Sequence, residues 1–193
     1  KGSWLSIWLN ELGAQVIGYS LDPPTTPSHF QVCRLAERII DVRGDVRNFT
    51  SLRQTLEAYQ PQVVFHLAAQ ATVLRSFDEP KATFDTNVAG TINILESIRT
   101  TKSVKALVCI TSDKCYENRE WVWGYRENDL LGGHDPYSAS KAMSELAIAS
   151  YRWSFFSNHR HELNTVAIAS ARAGNVIGGG DYAEARLVPD CMR

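Results

Sequence analysis

Tyr137 and Lys141 lie four residues apart in the run His134-Asp-Pro-Tyr-Ser-Ala-Ser-Lys-Ala142. On a helix, positions i and i+4 share a face, so a phenol and an ammonium project together. A fixed cation beside a phenol favours phenolate and lowers its pKa. The pair can therefore take a proton from a substrate alcohol near neutral pH. Ser112, upstream in Thr111-Ser-Asp-Lys114, can hold the same hydroxyl. Taking a proton from an alcohol while a hydride leaves its carbon is the chemistry these groups suit. The same spacing also fits an ordinary amphipathic helix with an exposed Tyr and Lys, so the neighbouring elements must decide.

The 193 residues suffice for one well-buried domain. A net charge of −1 gives no electrostatic reason to expect nucleic acid or an anionic membrane as partner. No apolar run approaches the roughly 18–20 residues needed to span a bilayer, and no signal peptide is visible. Cys33, Cys109, Cys115 and Cys191 form no C-x-x-C, and no His pair stands at metal-ligand spacing, so no metal is expected. A reducing, cytoplasmic compartment fits best. Asn48-Phe-Thr50 matches a glycosylation sequon, but nothing else suggests secretion. Both ends read as cut. Trp4, Leu5, Trp8, Leu9 and Leu12 open on a helical pattern with no strand before it, and Pro189 begins an element left incomplete.

Strand-length apolar runs alternate with helical patterns. Ala14–Tyr19, the weaker Arg38–Val42, Gln62–Leu67, Lys105–Ile110 and Asn164–Ala171 read as strands, with the third and last of them buried. Thr50–Tyr59, Lys81–Thr100 and Ser138–Phe156 read as helices. The alternation predicts βαβ units and an α/β, Rossmann-like, doubly wound parallel sheet covered on both faces. Residues 1–193 are taken as one such domain, partial at both ends. Two loops stand out: Asp22-Pro-Pro-Thr-Thr-Pro27, and the long excursion Glu117–Pro136 with Trp121, Trp123 and Gly132-Gly133.

Ligands of doubly wound sheets bind outside the carboxyl ends of the strands. Ala68-Ala-Gln70, Thr111–Lys114 and Arg172-Ala-Gly-Asn175 each follow a strand, and Tyr137 begins the intervening helix. Their agreement points to one crevice. A glycine-rich dinucleotide loop should precede the first helix, and only Gly2, a candidate for its last glycine, is present. Asp22 either receives a ribose or shapes the turn before Pro23-Pro24. Asp45 either serves an adenine or helps cap the helix beginning near Thr50.

The chain resembles the extended short-chain dehydrogenase/reductase family, in its NAD-dependent epimerase/dehydratase group. The resemblance spans nearly the whole chain. Lys1-Gly-Ser-Trp4, Gly18–Thr25, Phe65-His-Leu-Ala-Ala-Gln70, Thr86–Thr91, Ile110–Tyr116, Glu120–Asn128, Asp135–Lys141 and Arg172–Asp181 carry it. The Ser112-Asp-Lys-Cys-Tyr116 and Trp123-Gly-Tyr-Arg-Glu-Asn128 strings are the most specific, and they point to the 4,6-dehydratases of CDP-D-glucose.

The resemblance implies a lyase with a tightly held NAD, regenerated in each turnover. CDP-4-dehydro-6-deoxy-D-glucose would be the product, for deoxysugars of cell-surface polysaccharide. It implies cofactor contacts at Gly2, Asp45, Val46, Leu67, Ala68, Ala69, Gln70, Asn87, Tyr137 and Lys141. Ser112, Asn175 and Arg186 would contact the nucleotide sugar, under a strap at Gly178–Gly180. Tyr137 would take the 4-hydroxyl proton. Asp113 would be the acid for the departing 6-hydroxyl if burial raises its pKa. Lys114 replaces the glutamate usual in related dehydratases, and would act either as a desolvated base or as a cation facing an enolate. Asn87 resembles a family asparagine that interrupts helical bonding near the site. A homo-oligomer, dimer or tetramer, is implied for the complete protein, paired through 81–100 and 138–156. Open alternatives are another nucleotide-sugar dehydratase or 4-epimerase of the same fold, a non-catalytic dinucleotide sensor, and an inactive fragment.

Overall fold

The computed structural model describes residues 1–157 and 166–192. They form two compact units, Lys1–Asp45 with Asn175–Arg193, and Val46–Gly174.

The first unit pairs two parallel strands, β1 (Ile17–Ser20) and β2 (Ile40–Arg43). Helix α1 (Gly2–Glu11) precedes them, and a short helix α2 (His29–Val32) lies between. Ser28 caps α2 by accepting from the Gln31 amide. The last helix, α8 (Leu187–Met192), also belongs here.

The second unit carries the elements that matter for chemistry. Helix α3 (Phe49–Tyr59) leads to β3 (Val63–His66), the short helices α4 (Val73–Asp78) and α5 (Pro80–Phe84), and α6 (Gly90–Thr100). Then come β4 (Ala106–Ile110), α7 (Pro136–Tyr151) and β5 (Ala167–Ala171). The strands pair in parallel in the order β3-β4-β5. The fold is thus α/β and Rossmann-like, with parallel sheets and flanking helices.

Burial in this sheet departs from the expectation of two covered faces. His66, Leu107, Cys109 and Ile168 are buried on one face, while Val63, Phe65, Ala167 and Ala169 are exposed on the other. The strands stand in space as in sequence. Right-handed crossovers that advance in one direction place their helices on one face, and the second face is covered only where the winding reverses. β3 and β5 are therefore half-buried, not the fully buried strands their apolar runs suggest. Residues Asn164 and Thr165, included in that last predicted strand, lie outside the described residues.

The helix expected over Lys81–Thr100 is interrupted. Between α5 and α6, Asp85–Ala89 forms a π-helical turn, and the Gly90 amide bonds the Asp85 carbonyl. Asn87 explains it. Its fully buried amide accepts from the Gln70 backbone N–H (2.9 Å) and donates to the Gln70 carbonyl (3.1 Å) and to Ser140 Oγ (2.8 Å). Its own carbonyl accepts from the hydroxyls of Thr91 (2.6 Å) and Ser144 (2.9 Å). Side chains thus satisfy a carbonyl that the regular helical ladder would otherwise serve. The predicted helix 138–156 likewise runs as α7 to Tyr151 and continues as a π turn over Arg152–Phe156.

Candidate active site

Helix α7 starts sharply. Asp135 accepts from the Ser138 amide (2.9 Å) and hydroxyl (2.6 Å), and Pro136 occupies the first turn, where its missing N–H costs nothing. A Cβ on Gly133 would fall 2.5 Å from Ser138 Cβ, so only glycine lets the incoming loop pack against this turn. Tyr137 is therefore fixed in the first turn, with Lys141 one turn on. Both are buried, and Lys141 Nζ lies 6.0 Å from the Tyr137 ring centroid. The positive end of the helix dipole and the ammonium both favour an oxygen anion here.

The strand ends come next. Ala68 and Ala69 follow β3, and Ala68 is exposed. Gln70 uses its side chain to bind Thr72 and Thr83, so its amide braces the loop. Asn87 is similarly committed to Gln70 and Ser140. Both were candidates for cofactor contact. Their side-chain groups hold the backbone at Gln70 and Thr72 and the start of α7. Ser140 Oγ in turn donates to the Tyr137 carbonyl (2.7 Å).

Thr111 and Ser112 follow β4 and are buried. The 3₁₀ turn Asp113–Cys115 beyond them packs against α7, which brings Ser112 to the Tyr137 side of the sheet. Ser112 Oγ donates to Asp113 Oδ1 (3.0 Å) and accepts from the Lys114 amide (3.2 Å), leaving a lone pair for a substrate hydroxyl. Asp113 and Lys114 are half-exposed, with Nζ 3.9 Å from Oδ1. The burial on which the acid role of Asp113 and the desolvated-base role of Lys114 were conditional is not found among the described residues.

The excursion from Glu117 folds back on itself. Tyr116 bridges Leu131, and Glu117 N–H donates to the Leu130 carbonyl (2.9 Å). Tyr116 stacks on Tyr125 with centroids 5.0 Å apart, and Trp121 packs on Tyr125 in turn.

Beneath the site lies a group that sequence reasoning missed. Glu145 accepts from Thr111 Oγ1, from Ser170 Oγ (2.9 Å) and from Arg172 Nη2 (3.0 Å). Burial raises its pKa, but the bonds from Arg172, Thr111 and Ser170 outweigh this and hold it below the usual value. Burial likewise pulls Arg172 down, while Glu145 and Tyr116 hold it above its ordinary value. The available signal was a glutamate one turn beyond Lys141 in an otherwise apolar and small-residue helix segment. Cys109 and Cys115 are pushed up by burial to about 12 and about 11, which makes both thiols inert core residues.

His66, at the end of β3, is fully buried, with Nε2 3.1 Å from Thr91 Oγ1. Burial, then the Lys141 charge, lower its pKa from 6.5 to about 4. A histidine depressed on folding takes up its proton first in the unfolded chain. Its contribution to stability is full above pH 6.5, falls between 6.5 and 4, and levels off below. Between pH 7 and pH 5 the parent should lose about 2 kcal/mol more than His66→Gln. Urea unfolding at both pH values measures this, and equal losses would refute a neutral buried His66.

In the first unit, a Cβ on Gly2 would meet nothing within 4 Å, so no described neighbour presses on this glycine. The Asp45 carbonyl accepts from the Tyr19 hydroxyl (3.1 Å). Helix α3 is capped by Asn48, whose side chain accepts from the Ser51 amide, and this overturns capping as the role of Asp45. Asp22 is exposed beyond β1, and Arg43 lies 3.7 Å from it. Asn175 is exposed, and Arg186 lies 3.9 Å from Asp181. The Gly179 carbonyl accepts from Trp4 Nε1 (3.0 Å), and Gly180 takes φ +74°, which glycine adopts without strain. In the second unit, Val46 is buried against Gly90, and Asn93 donates to the carbonyls of Val46 and Arg47. Among the described residues, no cluster of His, Cys, Asp and Glu could hold a metal, and no helix is long and apolar enough to cross a membrane.

A family model described as GDP-mannose 4,6-dehydratase matches residues 1–165. The chain belongs to this family. Within it, the chain is 53% identical over all its 193 residues to CDP-glucose 4,6-dehydratase of Salmonella typhimurium, covering 54% of that protein. It is 30% identical over 157 residues to CDP-paratose 2-epimerase of Salmonella typhi, covering 74% of this chain and 44% of that one. The chain thus spans about half the length of these curated relatives. Among solved structures, a double mutant of a dTDP-glucose 4,6-dehydratase from Streptomyces venezuelae, with NAD bound, superposes with a TM-score of 0.79. It does so at 22% identity, over 96% of this chain and 56% of that one. The dTDP-glucose 4,6-dehydratase of Bacillus anthracis in complex with NAD gives 0.75 at 22% identity, over 97% and 55%. These structures establish the shared fold.

Proposed function

We propose that the protein of which this chain forms part dehydrates CDP-D-glucose to CDP-4-dehydro-6-deoxy-D-glucose with NAD. The observation that carries the reading is the buried Tyr137–Lys141 pair on the helix packed against the Ser112-Asp-Lys turn. The 53% identity to a CDP-glucose 4,6-dehydratase supports the choice of nucleotide.

The residues suit a dinucleotide. Ala68 and Ala69 leave the backbone after β3 open to close approach, and Lys141 offers an ammonium to ribose hydroxyls. Leu67 and Val46 of the same unit add apolar surface. NAD bound here would supply the hydride acceptor for carbon 4 and the hydride donor for carbon 6. Tyr137 takes the proton of the 4-hydroxyl, with Lys141 stabilising the phenolate. Ser112 holds that hydroxyl in line. The resulting 4-ketone acidifies the proton on carbon 5. Asp113 protonates the departing 6-hydroxyl, and Lys114 either takes the carbon 5 proton and returns it there when carbon 6 receives its hydride, or stands as a cation facing the enolate. The complete enzyme assembles as a homo-oligomer.

The test is to incubate the complete protein separately with CDP-, dTDP- and UDP-glucose and with GDP-mannose, and to identify products by mass and NMR. A 4-keto-6-deoxy product lighter by one water, formed fastest from CDP-glucose, is expected. A product of unchanged mass would make the enzyme an epimerase. Binding without turnover would make it a sensor.

A further inference from the structure

Thr111 and Asp113 flank Ser112, and they are pinned to the last residue of β5 and to the segment after it. The Thr111 amide donates to the Ala171 carbonyl (3.0 Å), and the Asp113 amide to the Ala173 carbonyl (3.1 Å). Arg172 stands between these two acceptors. Its Nη2 donates to Glu145, while Nη1 donates to the Tyr116 hydroxyl (2.8 Å) and the Glu127 carbonyl (2.9 Å). Glu145 closes the circuit by accepting from the Thr111 and Ser170 hydroxyls. The Glu145 side chain is 5% exposed and that of Arg172 17%, so water does little to weaken the pair. Glu145 also shares the α7 face of Tyr137 and Lys141, two turns and one turn away.

One carboxylate therefore fastens the Ser112 segment, the end of β5 and the long excursion to the helix that bears the proton acceptor. The proton chemistry above uses neither Glu145 nor Arg172. A buried ion pair adds little net stability compared with apolar residues of like size, so stability alone explains its presence poorly. Reacting groups tolerate little misplacement: about 1 Å can cost 10²-fold in rate.

We infer that Thr111, Glu145 and Arg172 form a clamp that sets the position of Ser112 against Tyr137, as positioning residues for sugar oxidation. This rests on the dehydratase reading. The clamp acts through Ser112 without touching substrate, so loosening it lowers the rate of the first hydride transfer and leaves substrate affinity nearly intact.

The decisive variant is Thr111→Val, which removes the hydroxyl bonded to Glu145 and keeps the volume. In the complete protein, NADH formation after rapid mixing with CDP-glucose should fall at least about tenfold, with KM within about twofold. Thr111→Ser, which keeps the hydroxyl, should restore the parent rate within about threefold. Glu145→Gln should act in the same direction, and Thr111→Val added to it should cost little more, because both open one clamp. Circular dichroism and thermal melts verify folding, and Thr111→Val and Thr111→Ser serve should Glu145→Gln fail to fold. A folded Thr111→Val that forms NADH at the parent rate overturns the clamp. So does a Thr111→Ser as slow as Thr111→Val, or a loss confined to KM. A parent that forms no NADH overturns the dehydratase reading instead.

Discussion

Replacing Tyr137 with Phe in the complete protein will slow oxidation at carbon 4 by about 10²–10⁴-fold, the usual range for a general base. Nucleotide-sugar affinity will stay within a few-fold. The substitution removes one oxygen and almost no volume. The ring keeps its place, because the Asp135 cap and Ser140 hold the backbone around it. Lys141 then faces an apolar ring with no oxygen to stabilise, and Ser112 alone has no base strong enough to take the alcohol proton. The loss should appear both in the NADH transient and in product formation, because elimination waits on the ketone. Near-normal turnover in the Phe variant would remove Tyr137 from the chemistry, whatever its burial.

The site was legible where chemistry follows local spacing. A Tyr and a Lys at i and i+4 after an Asp-Pro start specify helix, face and cap together, and α7 begins within two residues of the expected start. The strands were legible from their apolar runs. What the sequence left hidden is non-local. Nothing adjacent to Asn87 reveals that Gln70 and Ser140, 17 and 53 residues away, take up its amide, so the apolar stripe alone reads as a continuous helix, and only the resemblance of Asn87 to a family asparagine implied the break. Apolar runs report hydrophobicity and not winding direction, so half-covered strands read as buried. Glu145 went unnoticed because its partners, Thr111 and Arg172, lie 34 and 27 residues away. The acid role of Asp113 was conditional on burial and the base role of Lys114 on desolvation, and the 3₁₀ turn leaves both side chains half-exposed.

That exposure sharpens the last expected result. Asp113→Asn and Lys114→Met, each in the complete protein, will still form NADH from CDP-glucose but will release little 4-keto-6-deoxy product. Both residues lie beyond Ser112, on a turn held by the Asp113 amide to the Ala173 carbonyl, and neither contributes to the Thr111–Glu145–Arg172 clamp. Oxidation should therefore survive their loss. The Asn side chain keeps the shape of Asp113 and can still accept the Ser112 bond, but it has no carboxylic proton for a departing hydroxyl. The Met side chain keeps the stem of Lys114 without an amine to serve as base or cation. With 4-ketone trapped before water loss, NADH absorbance should rise and persist, where the parent shows only a brief transient. General acid or base removal predicts a loss of about 10²-fold or more in the elimination step. If both variants release product at the parent rate, water loss is driven from outside this turn, and the dehydratase reading loses its main support among these residues.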